Sequence, residues 1–156
     1  MTIEIRKIKV AEVWACDNWP KLLEEYTKEC KFKEFPDVTI NKELYNNLEK
    51  LGTLQAFGAL KNNDLIGFII VMSYPSTHYD LTMATTEGFM VLQEHRCTGA
   101  GLKLLRAVEK HVQTYKAGAL FVSAPIGQKL AKVMKCTKYK EAAKLYFKRF
   151  VYEVPS

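Results

Sequence analysis

Glu87-Gly-Phe-Met-Val-Leu-Gln-Glu-His-Arg96-Cys-Thr-Gly99-Ala-Gly101 runs directly into Leu102-Lys-Leu-Leu-Arg-Ala-Val-Glu-Lys-His-Val112. The stretch reads as strand, glycine-rich loop and helix. Phe89 to Leu92 is a compact apolar run, and Leu104, Leu105, Val108, Val112 and Tyr115 form one stripe at amphipathic-helix spacing. Glycines at 99 and 101 let the backbone turn tightly and come close to a ligand. The first N–H groups of a helix have no internal acceptor and carry the positive end of its dipole, so an anion, most simply a phosphate, is the expected occupant. Two familiar phosphate loops do not fit. The dinucleotide fingerprint needs a third glycine, and the P-loop needs Gly-Lys-Ser/Thr.

Around this stretch the composition sets bounds. A chain of 156 residues with 48% hydrophobic residues predicts one domain, spanning residues 1–156, with an ample core. There is no run of 18 apolar residues, so no membrane span is expected. The first residues alternate like a strand rather than a signal peptide. Cys16, Cys30, Cys97 and Cys136 lack metal-ligand spacing, which predicts no metal site, no disulfide framework and a cytoplasmic location. The net charge is +6, and Lys129, Lys132, Lys135, Lys138, Lys140, Lys144 and Lys148 crowd the C-terminal end. Two readings stand: a solvated basic face, or attraction of a polyanion. Arginines are few and aromatic–basic RNA motifs are missing, so nucleic acid is disfavoured as a partner.

The flanking chain predicts a strand over 3–10, then a short helix interrupted at Trp19-Pro20 and a second helix to Cys30, burying Leu22, Leu23, Tyr26 and Cys30. Residues 31–40 form an aromatic loop with Phe32 and Phe35. Asn41 caps a helix with Leu44, Tyr45, Leu48 and Leu51 inward, ended by Gly52. Residues 53–60 and 65–74 pair as a hairpin across Lys61-Asn-Asn-Asp64, and the second strand is apolar enough to be covered on both faces. After the central helix come a short strand over 119–124, a basic helix over 127–135 with Leu130, Val133 and Met134 inward, and one or two strands over 139–152. The pattern predicts an α/β (α+β) mixed sheet with helices on both faces.

Arg96-x-x-Gly99-x-Gly101 resembles the acyl-CoA-binding motif of the GNAT N-acetyltransferase superfamily, written Arg/Gln-x-x-Gly-x-Gly/Ala. The order of predicted elements is similar to that fold over essentially the whole chain. The segments around His78-Tyr79, Thr86-Glu87 and Ser123-Ala124-Pro125 also resemble small acetyltransferase-like proteins carried by bacteriophages. The resemblance implies an acetyl-CoA-dependent N-acetyltransferase, in which a primary amine attacks the thioester directly. It implies a small-molecule or protein amine as acceptor, and homodimerisation as in many relatives. It places the pyrophosphate on the N–H groups of Arg96, Cys97, Thr98, Gly99, Ala100, Gly101 and Leu102, with charge from Arg96 and Lys103. Phe89, Met90, Val91 and Ser123 line the rest of the cofactor, and an N–H near Met90 or Val91, where the strand splays, faces the oxyanion.

Glu87 is the candidate base for the ammonium proton, against the alternative that it is a solvated or lysine-paired surface acid. Glu94, His95 and His78 rank below it. The tyrosine that many relatives use to protonate the leaving thiolate is replaced by Met134, which cannot donate a proton. Tyr139 or Tyr146 then substitutes, or the thiolate leaves unaided. The alternatives are a catalytically weak CoA- or protein-binding domain and a basic nucleic-acid module. Ser123, His78 and Asp80 lack a nucleophile elbow, and Cys97 is read as a bystander at the helix start.

Overall fold

The computed structural model describes residues 2–153. Five strands form one sheet in the order β1-β2-β3-β4-β5: β1 Glu4–Ile8, β2 Leu54–Lys61, β3 Asp64–Pro75, β4 Thr82–Val91 and β5 Ala119–Phe121. The first four are antiparallel and β5 joins β4 in parallel. Helices α1 Val10–Ala15, α2 Trp19–Cys30 and α3 Lys42–Lys50 precede β2. Helix α4 Ala100–Thr114 is the crossover between β4 and β5, and α5 Lys129–Lys135 follows. This is the mixed α+β sheet that the sequence predicts.

Local chemistry accounts for the elements. Asn62 and Asn63 both have positive φ (53° and 68°), the conformation that a tight β2–β3 hairpin needs. Asn41 Oδ1 accepts the Leu44 N–H at 3.0 Å and opens α3. β3 is buried along most of its length because both its faces are covered. On one face α4 lays Leu104, Leu105, Val108 and Val112 against Ile66, Ile69, Val71 and Val91. On the other face α1 and α2 pack Val10, Val13 and Leu22 against Phe68, Ile70 and Met90. The two-sided burial fixes β4 between two cores, and β4 carries the site.

Two expectations fail. The α3 stripe is narrower than predicted: Tyr45 and Leu48 pack inward, but Leu44 and Leu51 are exposed. A four-residue apolar stripe needs more sheet than this short helix overlies. The chain over 139–153 is not strand either. It makes no backbone–backbone hydrogen bonds among the described residues, and Leu145, Phe150 and Tyr152 are exposed. β5 is only three residues long, so the sheet offers little edge for pairing. The segment is held instead by Phe147, whose ring lies 4.5 Å from Phe32 and 5.7 Å from Phe35, with the Arg149 guanidinium over Phe35.

Candidate functional site

β4 parts from both neighbours at its middle. On the β3 side, Ile70 pairs with Gly88 and Val71 with Thr86, so Glu87 is the extra residue of a β-bulge. On the β5 side, pairing stops at Thr85–Phe121, and the last tie is Ser123 N–H to Thr86 Oγ1 at 3.1 Å. Glu87 to Val91 therefore has one edge without a strand partner. Leu92 N–H donates to Ile66 O at 2.9 Å, toward β3. Alternation along the antiparallel ladder then turns the N–H groups of Phe89 and Val91 to the open edge, and that of Met90 to β3. Of the two expected oxyanion donors, Val91 has the right orientation and Met90 does not. The splay also begins earlier than expected, at Glu87 rather than near Met90.

The loop after β4 is a 3₁₀ turn over Gln93–Thr98, followed by Gly99 at φ 80° and the start of α4. Gly99 sits in the left-handed region, which strains any residue with a Cβ. Thr98 Oγ1 accepts the Ala100 N–H at 3.4 Å and donates to His95 O at 2.6 Å, which ties the turn to the start of α4. Lys103 N–H closes the first helical bond on Gly99 O at 3.0 Å. The N–H groups of Gly99, Gly101 and Leu102 find no such acceptor among the described residues. They make a cradle of N–H donors at the head of a four-turn helix, where the helix dipole is positive. A Cβ on Gly101 would meet Phe89 and Val91 only at ordinary contact distance, 3.8 and 3.9 Å. Packing within the fold therefore leaves room for a Cβ at 101. Cys97, Leu102 and Lys103 are exposed beside the cradle, whereas Ala100 is buried.

Arg96 departs from expectation. Its Nε donates to Val91 O at 2.9 Å, and its guanidinium pairs with Glu29 and lies 4.0 Å from Glu25, both on α2. The side chain thus ties the loop to α2 instead of standing over the cradle. Sequence reading missed these acids. Their signal was there: Glu25 and Glu29 share one helix face at i, i+4 spacing, which is repulsive unless a cation lies between them. Glu25 also accepts the Gln93 N–H at 2.8 Å, a second tie at the same place.

Glu87 is exposed on the bulge and makes no ion pair among the described residues. The solvated alternative therefore holds for its exposure, and the lysine-paired one does not. Tyr26 of α2 and Tyr45 of α3 flank it. Burial pushes the Tyr26 hydroxyl well above the ordinary tyrosine range, with smaller contributions from Cys30, Tyr45 and Glu87. Burial first and then Glu87 raise Tyr45 as well. An acid thus faces two neutral phenols. Glu94 is drawn off by Lys21 at 2.8 Å, which lowers its pKa, and His78 is an exposed loop residue.

Tyr139 is far from this centre. Its hydroxyl donates to Glu109 at 2.8 Å, and burial and then that bond raise its pKa. Glu109 lies ten residues along α4 from Gly99, about 15 Å of helix. Met134 packs on the α4 side of the core, and Tyr146 is exposed. Ser123 lies just past the last β4–β5 pair, tied to Thr86 by its N–H. Among the described residues no group of three His, Cys, Asp or Glu side chains could hold a metal ion, and no helix is long and apolar enough to cross a membrane.

The sequence profile of the Acetyltransferase (GNAT) family matches residues 17–134. A comparison with curated protein sequences finds no match. Solved structures share the fold at low identity. A ribosomal-protein-alanine N-acetyltransferase from Brucella melitensis biovar Abortus 2308 superposes with TM-score 0.73 at 18% identity, over 96% of this chain and 100% of that one. An aminoglycoside acetyltransferase from an uncultured soil metagenomic sample, in complex with sisomicin, gives 0.75 at 17% identity, over 96% and 97%. AAC(6')-Iy, in complex with the bisubstrate analogue CoA-S-monomethyl-acetylneamine, gives 0.70 at 18%, over 96% and 99%. The resemblance to bacteriophage-carried proteins finds no support in these comparisons.

Proposed function

The chain belongs to the acetyltransferase (GNAT) family, and from that premise we propose that it transfers an acetyl group from acetyl-CoA to a primary amine. The observation that carries this reading is the cradle of free N–H groups at Gly99, Gly101 and Leu102, set beside the open edge of β4. The cradle fits a pyrophosphate by donor type, dipole and the room left at Gly101. The thioester supplies an acetyl group activated for attack. The chain's own part is binding, orientation and proton removal. The cradle anchors the donor, Lys103 adds a cation, and the Val91 N–H points where carbonyl charge builds up. Glu87 takes the proton of the incoming ammonium, which at a pKa of about 10.4 is otherwise held at neutral pH. The acceptor enters from the side of Tyr26 and Tyr45. Small-molecule and protein amines both remain within this reading.

A second reading, a domain that binds CoA but turns over weakly, has one observation in its favour. Met134 is packed on the core and the Tyr139 hydroxyl is held by Glu109, so neither offers a proton to a leaving thiolate. Calorimetric titration with acetyl-CoA and CoA tests the leading assignment. Micromolar binding to the wild type, lost in Gly101→Glu with the fold intact, supports the cradle. Equal affinity in the variant refutes it. Thiol release during incubation with amine acceptors then separates turnover from binding alone.

A further inference from the structure

A groove of about 590 Å³ runs between α4 and the β1–β2 edge. Ile5, Phe57 and Ala107 form its floor, and Lys7, Lys103, Arg106 and Lys110 its rim. On α4 the three cations recur at spacings of three and four residues, which puts them on one stripe about 10 Å long. None of the four has a carboxylate within 4.0 Å among the described residues, and no acid lines the groove. Cations gathered without counter-charge repel one another and raise the local concentration of anions. His111 lines the same groove. Its ring stands edge-on to Phe57 at 5.5 Å and to Tyr115 at 5.5 Å, and its pKa is lowered by burial and then by Lys7. The groove and the cradle share only Lys103, which borders both, and Lys7, Arg106 and Lys110 lie away from the cradle. The groove faces β1 and β2 rather than β4, and Lys110 lies about 16 Å along the helix from Gly99.

We propose that this groove is a second anion site, which holds a small polyphosphate chain across Lys7, Arg106 and Lys110. The charge density matches successive phosphoryl groups better than scattered carboxylates. Phe57 is only 8% exposed and offers little face for a base to stack on, so the phosphate chain is taken as the recognised part. A free inorganic chain and a nucleoside triphosphate share that chemistry. The inference does not rest on the acetyl-transfer reading.

The test is titration of the full chain with inorganic tripolyphosphate and with ATP, by calorimetry and by NMR of the His111 ring. Saturable binding is expected, and the His111 pKa rises on binding as the anion offsets the cations. Arg106→Glu/Lys110→Glu weakens binding by about tenfold or more and flattens its salt dependence, while acetyl-CoA binding is unchanged. Arg106→Gln/Lys110→Gln serves if the reversal variant does not fold. Binding persists in Gly101→Glu, which separates the groove from the cradle. Equal affinity for both probes assigns the phosphate chain alone, and tighter ATP binding adds the nucleoside to the ligand. Failure of both probes to saturate at millimolar concentration overturns the proposal. So does unchanged affinity in the double variant, or a single-stranded oligonucleotide that binds this stripe more tightly than either probe.

Discussion

At Glu87 the ladder to β3 skips a residue, and the skipped residue is the acid. A bulge re-aims one side chain without unmaking the strand, and here it brings a carboxylate beside Tyr26 and Tyr45. Glu87→Gln should lower turnover about a hundredfold near neutral pH. The deficit should shrink as pH approaches the amine's own pKa, and an unaltered pH–rate profile would remove Glu87 from the mechanism. Arg96 makes a different prediction. It carries a bond to Val91 O and two carboxylate partners while only 18% of its side chain is exposed. Arg96→Ala should cost about 2 kcal/mol, a fall in Tm of several degrees by thermal denaturation. Arg96→Lys should recover little, since an ammonium cannot span three acceptors in a plane. Neither position could be read fully from sequence. Glu87 was visible as an acid in an apolar run, but its bulge is a matter of register with a strand that begins 23 residues earlier. The carboxylate partner Glu29 lies 67 residues from Arg96, beyond any local pattern.

Helix α4 was the most legible element. Its apolar stripe predicts Leu104, Leu105, Val108, Val112 and Tyr115; the structure buries the first four and leaves Tyr115 half-buried at the helix end. Its Gly-rich start predicts the turn, and Gly99 makes it. The polar faces were not legible, because periodicity says only that they point away from the core. Glu109 meets Tyr139 there, and His111 meets Phe57. His111 makes α4 pH-sensitive. Its folded-state pKa lies below the ordinary histidine value of 6.5, through burial and then Lys7. The unfolded chain therefore takes up the proton first as pH falls, so this contribution is present above about 6.5 and is lost below it. Denaturant melts at pH 7.5 and 5.5 should show less stability at the lower pH, and His111→Gln should narrow the gap. An identical gap in the variant would place the effect elsewhere.

Across the whole molecule, the sheet and its two cores followed from sequence, and the C-terminal segment did not. Alternating Leu145, Phe147 and the residues beyond reads as strand, yet a strand needs an edge, and β5 is too short to give one. The aromatic loop of Phe32 and Phe35 takes Phe147 instead. With no ladder bonds over residues 139–153 and many lysines exposed, limited trypsin digestion should cut first between Lys140 and Lys148 and leave the sheet intact. Phe147→Ala should speed that first cut and leave the main melting transition nearly in place. First cleavage within the sheet would contradict this order of stability.

The tie between Arg96 and α2 has a consequence for how two ligands sense one another. The turn that opens onto the cradle and the helix that flanks Glu87 share one guanidinium and two carboxylates. A ligand that stiffens the turn also removes freedom from α2, so a second ligand resting on α2 has less ordering left to do. Linkage makes the effect reciprocal: whatever factor the first ligand adds to the affinity of the second, the second returns to the first. On the proposed reading, cooperativity between donor and acceptor would run through this one side chain, and a double titration of wild type and Arg96→Ala would read its size.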